Sequence, residues 1–171
     1  DSGLIKPIQD FVDQDNYDTS QLEENLLAYY TVDGKLNSMP FNSSTPLLYY
    51  NKDMFDEAGV EVPKSLEEMK ETGKKLMDSG VTDMPISMNV YGWWVEQFMS
   101  KQGLDIFDKG NGRKANPTKT VFDENVGVTN VLKEWKELKD LGIAPNVGKQ
   151  GGSPEFKAGT SAMTFASTAS L

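Results

Sequence analysis

Short stretches of this sequence carry side chains that could hold a small polar ligand. Residues 42–45 supply neighbouring hydroxyls, residues 91–94 supply two adjacent indoles, and residues 165–170 supply a second hydroxyl cluster. Hydroxyls exchange hydrogen bonds with ligand oxygens, and flat aromatic rings pack against the C–H faces of sugars and polyols. These residue types therefore indicate reversible binding of a polar molecule.

Each stretch also has a purely structural interpretation. Residues 42–45 could form an ordinary polar turn after a strand, and Ser167 with Thr168 could simply cap a helix. Adjacent residues of a helix point about 100° apart, so Trp93 and Trp94 cannot both face the core. Either one indole lines a cleft, or one lies in the core while the other is half-buried.

Composition argues against several classes of function. The chain has 171 residues with a formal net charge of −9, which disfavours nucleic acids and anionic membranes as partners. It has no histidine and no cysteine, which removes the commonest general base and the commonest metal ligands. No cofactor is predicted, and 37% hydrophobic residues fit an ordinary globular domain.

The acidic residues do not form a convincing metal or catalytic site. Asp13, Asp15, Asp18 and Glu24 have a spacing that resembles a calcium loop, but the turn glycine is missing, so a solvated loop is predicted. Carboxylate pairs adjacent in sequence cannot face each other across a cleft as those of glycosidases do. The chain is therefore predicted to bind no metal and not to be an enzyme.

Strands and helices alternate along the chain, which predicts an α/β fold with ligands at strand ends.

A turn-rich segment, 108–118, is predicted to be an exposed loop or hairpin. A weaker candidate for an anion site is formed there by Arg113, Lys114 and the neighbouring Lys119. Trp135 lies within an apolar helical stripe and is predicted to be a core residue. The predicted helices are Ser2 to about Val12, 21–30, 65–80, 93–101 and 128–142, and the predicted strands are 36–41, 47–50, 84–88 and 161–165.

Several segments along the chain together resemble those of a known family. They are Pro40–Asp53, Asn51–Phe55, Val62–Glu68, Tyr91–Trp94 and Phe156–Leu171. On these segments the sequence resembles the extracellular solute-binding proteins of ABC importers, and among them the glycerol-3-phosphate-binding type. The resemblance extends along the whole chain and implies part of a two-lobe, periplasmic-binding-protein-like α/β fold, mainly its second lobe. Members of the family are much longer, so the chain is expected to be a fragment.

The resemblance implies that residues 1–43 are a remnant of the first lobe and the approach to the hinge. Residues 44–171 would be most of the second lobe, incomplete at its C-terminus. The implied ligand-binding residues are Ser43, Ser44, Trp93, Trp94, Ser167 and Thr168. Ser44, Ser167 and Thr168 are expected to converge on one cleft edge and to hold a phosphate.

The implied function is capture of glycerol-3-phosphate or a glycerophosphodiester for delivery to an ABC permease. The expected location is outside the cytoplasm, in the periplasm or as a cell-surface lipoprotein, with no signal segment within these residues. One alternative is a sugar- or oligosaccharide-binding protein, which the paired tryptophans favour. A more remote alternative is a fragment of a carbohydrate-active enzyme. Apolar surface left uncovered by the missing lobe further predicts self-association of the fragment.

Overall fold

The chain divides into two compact units, Asp1–Ser44 and Thr45–Leu171. A computed structural model describes residues 4–145 and 153–170. The boundary between the units lies next to the one expected from the sequence. Assignment of the units to the two lobes remains a prediction.

The first unit contains short elements with little core of its own: α1 (Gln9–Asp15), α2 (Glu24–Tyr30), β1 (Thr31–Val32) and β2 (Lys35–Leu36). The helix predicted from Ser2 is wrong in its start, because Pro7 disfavours helical geometry at the residue before it. Ser2 itself lies outside the described residues. Among those described in this unit, Leu36 is the one buried side chain.

The strand predicted over residues 36–41 is also wrong, because β2 ends at Leu36. Asp33 and Gly34 both have positive φ, 51° and 76°, and form the tight turn of a hairpin in which β1 pairs with β2. Pro40 has no N–H to donate to a strand ladder. The hydroxyl cluster of residues 42–45 therefore does not follow a strand.

The second unit contains helices that match most of the predicted ones. Ser65 caps the beginning of the helix α4 (Leu66–Asp78), as predicted. Its Oγ accepts a hydrogen bond from the Glu68 N–H at 3.1 Å, and the Glu68 carboxylate accepts one from the Lys64 N–H at 2.7 Å. A 3₁₀ turn covers Thr168–Ser170. The helices are α3 (Lys52–Ala58), α4 (Leu66–Asp78), α5 (Gly92–Lys101), the irregular α6 (Asp108–Asn111), α7 (Gly127–Asp140) and α8 (Ser153–Lys157).

The sheet of this unit consists, in the described residues, of two antiparallel strands. β3 (Pro46–Tyr50) pairs with β4 (Met163–Ser167), with Leu48 opposite Phe165. The strand predicted at residues 84–88 is reduced to a parallel bridge from Ile86 to Met163, since Pro85 lacks an N–H. Because β3 and β4 are antiparallel, the carboxyl end of β4 lies beside the beginning of β3 and not beside its end.

Helices α3, α4 and α7 pack against this sheet and form the core with it. Leu76 on α4 and Leu138 on α7 are fully buried, and Trp135 packs partly buried against the same cluster, as its apolar stripe indicated. Lys70 on α4 joins the two helices through ion pairs, with its Nζ 2.8 Å from a carboxylate oxygen of Glu134 and in contact with Glu137. Hydrogen bonds to Glu134, Glu137 and Glu67 raise the pKa of Lys70 above its usual range.

Candidate functional site

A cavity of about 220 Å³ lies in the second unit, between the end of β4 and the beginning of α5. Its lining combines aromatic rings with neutral polar groups, namely one amide and several hydroxyls. Among the described lining residues there is no lysine or arginine. These residues are Asn89, Tyr91, Trp93, Trp94, Ser153, Phe165, Ala166, Ser167 and Ser170. The described part of the lining thus offers stacking faces and hydrogen bonds without a fixed cationic charge.

The aromatic side of the cavity comes from the first turn of α5. Tyr91 and Trp93 stack with ring centroids 6.4 Å apart and an angle of 21° between planes. Trp93 meets Trp94 edge-to-face at 4.7 Å. Trp94 is 4% exposed whereas Trp93 is half-buried and Tyr91 is 52% exposed. The expectation that the two indoles differ in burial is confirmed, and both of them line the cavity.

A triangle of rings forms the wall behind Trp94. Its ring lies 5.6 Å from that of Phe165 on β4 and 6.3 Å from that of Phe98, one turn further along α5. Phe98 and Phe165 meet edge-to-face at 5.7 Å. Such contacts fix ring orientations beyond what area burial alone would do. The orientation of the Trp94 indole is therefore fixed by its contacts with Phe98 and Phe165.

Ser167 brings a hydroxyl to the polar side. Ser167 lines the cavity, and its Oγ accepts a hydrogen bond of 3.0 Å from the Ala169 N–H, which leaves the O–H proton for an acceptor. The phenol of Tyr49 donates to the Ser167 carbonyl at 3.3 Å. The helix expected after Ser167 is a single 3₁₀ turn within the described residues. Within the described residues, Ser167 and Thr168 therefore do not begin an α-helix.

Thr168 does not line the cavity but extends the ladder between β3 and β4. Its Oγ1 accepts from the Thr45 N–H at 3.1 Å, and its own N–H donates to the Thr45 carbonyl at 2.9 Å. This reciprocal pair of hydrogen bonds gives the Thr168 side chain a structural role. Ser43 and Ser44 are exposed residues of the first unit, and their contact with a ligand stays a prediction.

Several lining residues were missed by sequence reasoning. Asn89 and Tyr91 flank the predicted tryptophan pair, and Ser170 follows the predicted hydroxyls, so proximity along the chain could have indicated them. Ser153 begins α8 and enters the cavity from a segment with no signal for ligand binding in its sequence.

The cationic loop is engaged in its own structure. Asp108 accepts from the N–H and the hydroxyl of Thr118, both at 2.8 Å, and these bonds lower the pKa of its carboxyl. Lys119 forms an ion pair with Glu124 at 2.6 Å. Arg113 donates to the carbonyl of Gly110. The segment begins with the irregular α6 and continues as an exposed loop, so the predicted loop is confirmed in its second half, and none of its cations lines the cavity.

Two other kinds of feature are absent from the described residues. No group of three or more acidic side chains there has the geometry to hold a metal ion. In the same residues, no helix combines the length and the apolar character needed to span a bilayer.

A model of the family of bacterial extracellular solute-binding proteins matches residues 1–171, and the chain belongs to that family. The resemblance stated from the sequence is thereby confirmed.

Particular relatives agree with this assignment. The chain is 36% identical to the sn-glycerol-3-phosphate-binding periplasmic protein UgpB of Salmonella paratyphi A, over 99% of this chain and 40% of the relative. The structure is similar to UgpB of Mycobacterium tuberculosis in complex with glycerophosphocholine, with a TM-score of 0.73, 27% identity, and coverage of 99% of this chain and 44% of that one. The chain thus spans about two fifths of the length of these relatives.

A structure with lower identity supports the fold alone. The ABC substrate-binding protein Lmo0181 of Listeria monocytogenes in complex with cycloalternan has a TM-score of 0.76 at 23% identity, over 96% of this chain and 43% of that one. The predicted class, part of a two-lobe periplasmic-binding-protein fold, is confirmed by these neighbours.

Proposed function

We propose that this chain is part of the substrate-binding component of an ABC importer that captures glycerol-3-phosphate or a glycerophosphodiester. The observation that carries the proposal is the cavity in which the stacked rings of Tyr91 and Trp93 face neutral hydrogen-bonding groups. Identity of 36% to a glycerol-3-phosphate-binding relative supports this choice of ligand. No catalytic role is proposed.

The chemistry of binding follows from the lining. The carbon skeleton of a polyol packs its C–H bonds against the Trp93 ring, while ligand oxygens exchange hydrogen bonds with Asn89 and Ser167. The described lining covers one side of a ligand. The rest of the binding surface would come from the other lobe, which closes over the ligand and excludes water.

A sugar or oligosaccharide is the second candidate ligand, and one observation favours it specifically. The described lining carries no cationic side chain, so a neutral ligand would leave no charge uncompensated there. The charge of a phosphate would need compensation from groups beyond the described lining.

Calorimetric titration of the full-length protein separates the two candidates. We expect heat of binding with sn-glycerol-3-phosphate and with glycerophosphocholine, and none with maltose. Binding of maltose alone would favour the sugar alternative. Absence of binding for all three ligands would contradict the proposal for both classes.

Replacement of Trp93 by alanine in the full-length protein is expected to weaken ligand binding by about 1–3 kcal/mol, because it removes the half-buried stacking surface. Trp93→Phe, which keeps an aromatic ring, should recover part of the loss. Isothermal titration calorimetry with the preferred ligand measures both variants. An affinity unchanged in Trp93→Ala and also in Trp94→Ala would show that both indoles are purely structural.

Replacement of Ser167 by alanine tests whether the hydroxyl contacts a phosphate. We expect a loss of about 1–3 kcal/mol for sn-glycerol-3-phosphate and little change for neutral glycerol, since charge-assisted hydrogen bonds are the stronger ones. Ser100→Ala, at an exposed position on α5, is the matched control. Equal losses for both ligands would mean that Ser167 acts only through its bond to Ala169.

The partners and the location of the protein follow from the same proposal. The loaded protein would deliver its ligand to an ABC permease outside the cytoplasm, as the extracellular family and the periplasmic relatives support.

The fragment itself is proposed to self-associate, because Leu4, Tyr29 and Phe41 of the first unit are each more than two-thirds exposed. Sedimentation velocity at increasing concentration tests this, and a monomer throughout would contradict it.

A further inference from the structure

A larger groove of about 630 Å³ lies in the second unit, outside the ligand cavity. It is bordered by β3 and β4 at its base and by α4, α5 and α7 at its sides. Its volume falls in the range of about 300–1,000 Å³ that is typical of small-molecule sites. Of the residues named for the cavity, only Phe165 also lines the groove.

The base of the groove is apolar. Leu48 and Phe165 are cross-strand partners that present a continuous apolar surface from the sheet. Leu66, Phe98 and Val131 add apolar side chains from the three surrounding helices. An aliphatic chain placed here would leave water for an apolar surface on several sides, which is favourable in proportion to the area buried.

The charge at the rim of the groove is opposite to the charge of the whole chain. Lys64 and Lys101 are exposed at the rim, and among the described residues neither ammonium group forms an ion pair. Glu134 also lines the groove, but its carboxylate is 2.8 Å from the Lys70 ammonium. Two exposed lysines and one glutamate thus line this opening, and its charged side chains carry a net positive charge in a chain whose own net charge is −9.

From this combination we infer that the groove binds a monomeric amphiphile with one aliphatic chain and an anionic head group, such as a long-chain fatty acid. The chain lies along Leu48, Leu66 and Phe98, and the carboxylate reaches Lys64 or Lys101. A neutral apolar molecule would leave the two lysines without a partner, and a cationic head group would be repelled by them. This inference does not depend on the ligand of the cavity.

Calorimetric titration of the folded 171-residue chain with sodium dodecanoate, kept below its micelle-forming concentration, tests the proposal. We expect saturable binding. Lys64→Glu/Lys101→Glu should weaken it roughly threefold to tenfold, because two attractive charges become repulsive. Lys139→Glu/Lys157→Glu changes the net charge equally at exposed positions away from the groove and should leave the affinity unchanged.

A second pair of variants tests the location without disturbing the core. Asn130 is exposed and lines the groove, so Asn130→Trp should fill it and weaken dodecanoate binding about tenfold or more. Thr129→Trp places the same side chain at the neighbouring exposed position, which does not line the groove, and should bind like the unaltered chain. Circular dichroism verifies that both variants are folded.

Several results would overturn the inference. These are the absence of saturable dodecanoate binding, equal affinities for Asn130→Trp and Thr129→Trp, and equal effects of the two charge reversals. Binding only to anionic phosphatidylglycerol vesicles, with none to monomeric dodecanoate, would indicate a membrane surface instead and would also contradict it.

Discussion

The isolated 171-residue chain is expected to bind sn-glycerol-3-phosphate with millimolar affinity at best. Its cavity of about 220 Å³ lies below the usual size of a small-molecule site, about 300–1,000 Å³. Groups of the ligand that face away from the described lining stay in water, and the energy that enclosure contributes in such sites is lost. The full-length protein should bind the same ligand far more tightly in a parallel titration.

Oligomeric state has to be measured in the same samples. A second copy could cover the open side of the cavity and raise the affinity without the missing lobe. Sedimentation velocity at the titration concentration identifies this case. Micromolar binding by a chain that sediments as a monomer would refute the prediction.

Replacement of Leu138 by alanine should have the largest effect on stability among single changes in α7, about 2–5 kcal/mol in the free energy of unfolding. Leu138 is fully buried among the core residues shared by α4, α7 and the sheet, so its removal leaves a cavity. Urea denaturation followed by circular dichroism measures the loss.

Leu132→Ala, in the same helix, is the matched control because Leu132 is 50% exposed. It should cost less than about 1 kcal/mol, as surface substitutions usually do. Similar losses in the two variants would mean that the packing of α7 differs from the arrangement described here.

Local signals in the sequence were sufficient for α4, α5 and α7, the three longest described helices of the second unit. The capping box at Ser65 and the apolar stripe of α4 predicted a helix over 65–80, which is observed as Leu66–Asp78. The stripe that contains Leu138 likewise predicted α7, observed as Gly127–Asp140. Caps and periodicity depend on neighbours within a few residues, so they can be read from the chain alone.

Strand pairing could not be predicted in the same way. β3 and β4 pair across more than a hundred residues, as Leu48 and Phe165 show, and their antiparallel direction has no local signature. Ser44 does not follow a strand, and the expected convergence of Ser44, Ser167 and Thr168 on one cleft edge stays a prediction. The antiparallel register places Thr45 beside Thr168.

The site was predictable only where it depends on residues that are neighbours in the sequence. Trp93 and Trp94 are adjacent, so helical geometry alone indicated that their burial must differ. Ser153 reaches the cavity from α8, and its place there depends on how α8 packs beside β4. No local pattern marks Ser153 as a lining residue, because the cavity forms only when α8 and β4 meet the beginning of α5, which is distant in the sequence.

The placement of the tryptophans gives the protein a built-in optical reporter. Of the three indoles in the chain, Trp93 and Trp94 line the cavity, whereas Trp135 packs on α7 against the core. In a Trp135→Phe variant, all remaining indole fluorescence would come from the cavity. The emission maximum of that variant would then shift to shorter wavelength when a ligand displaces water from the Trp93 ring, so binding could be followed without a label.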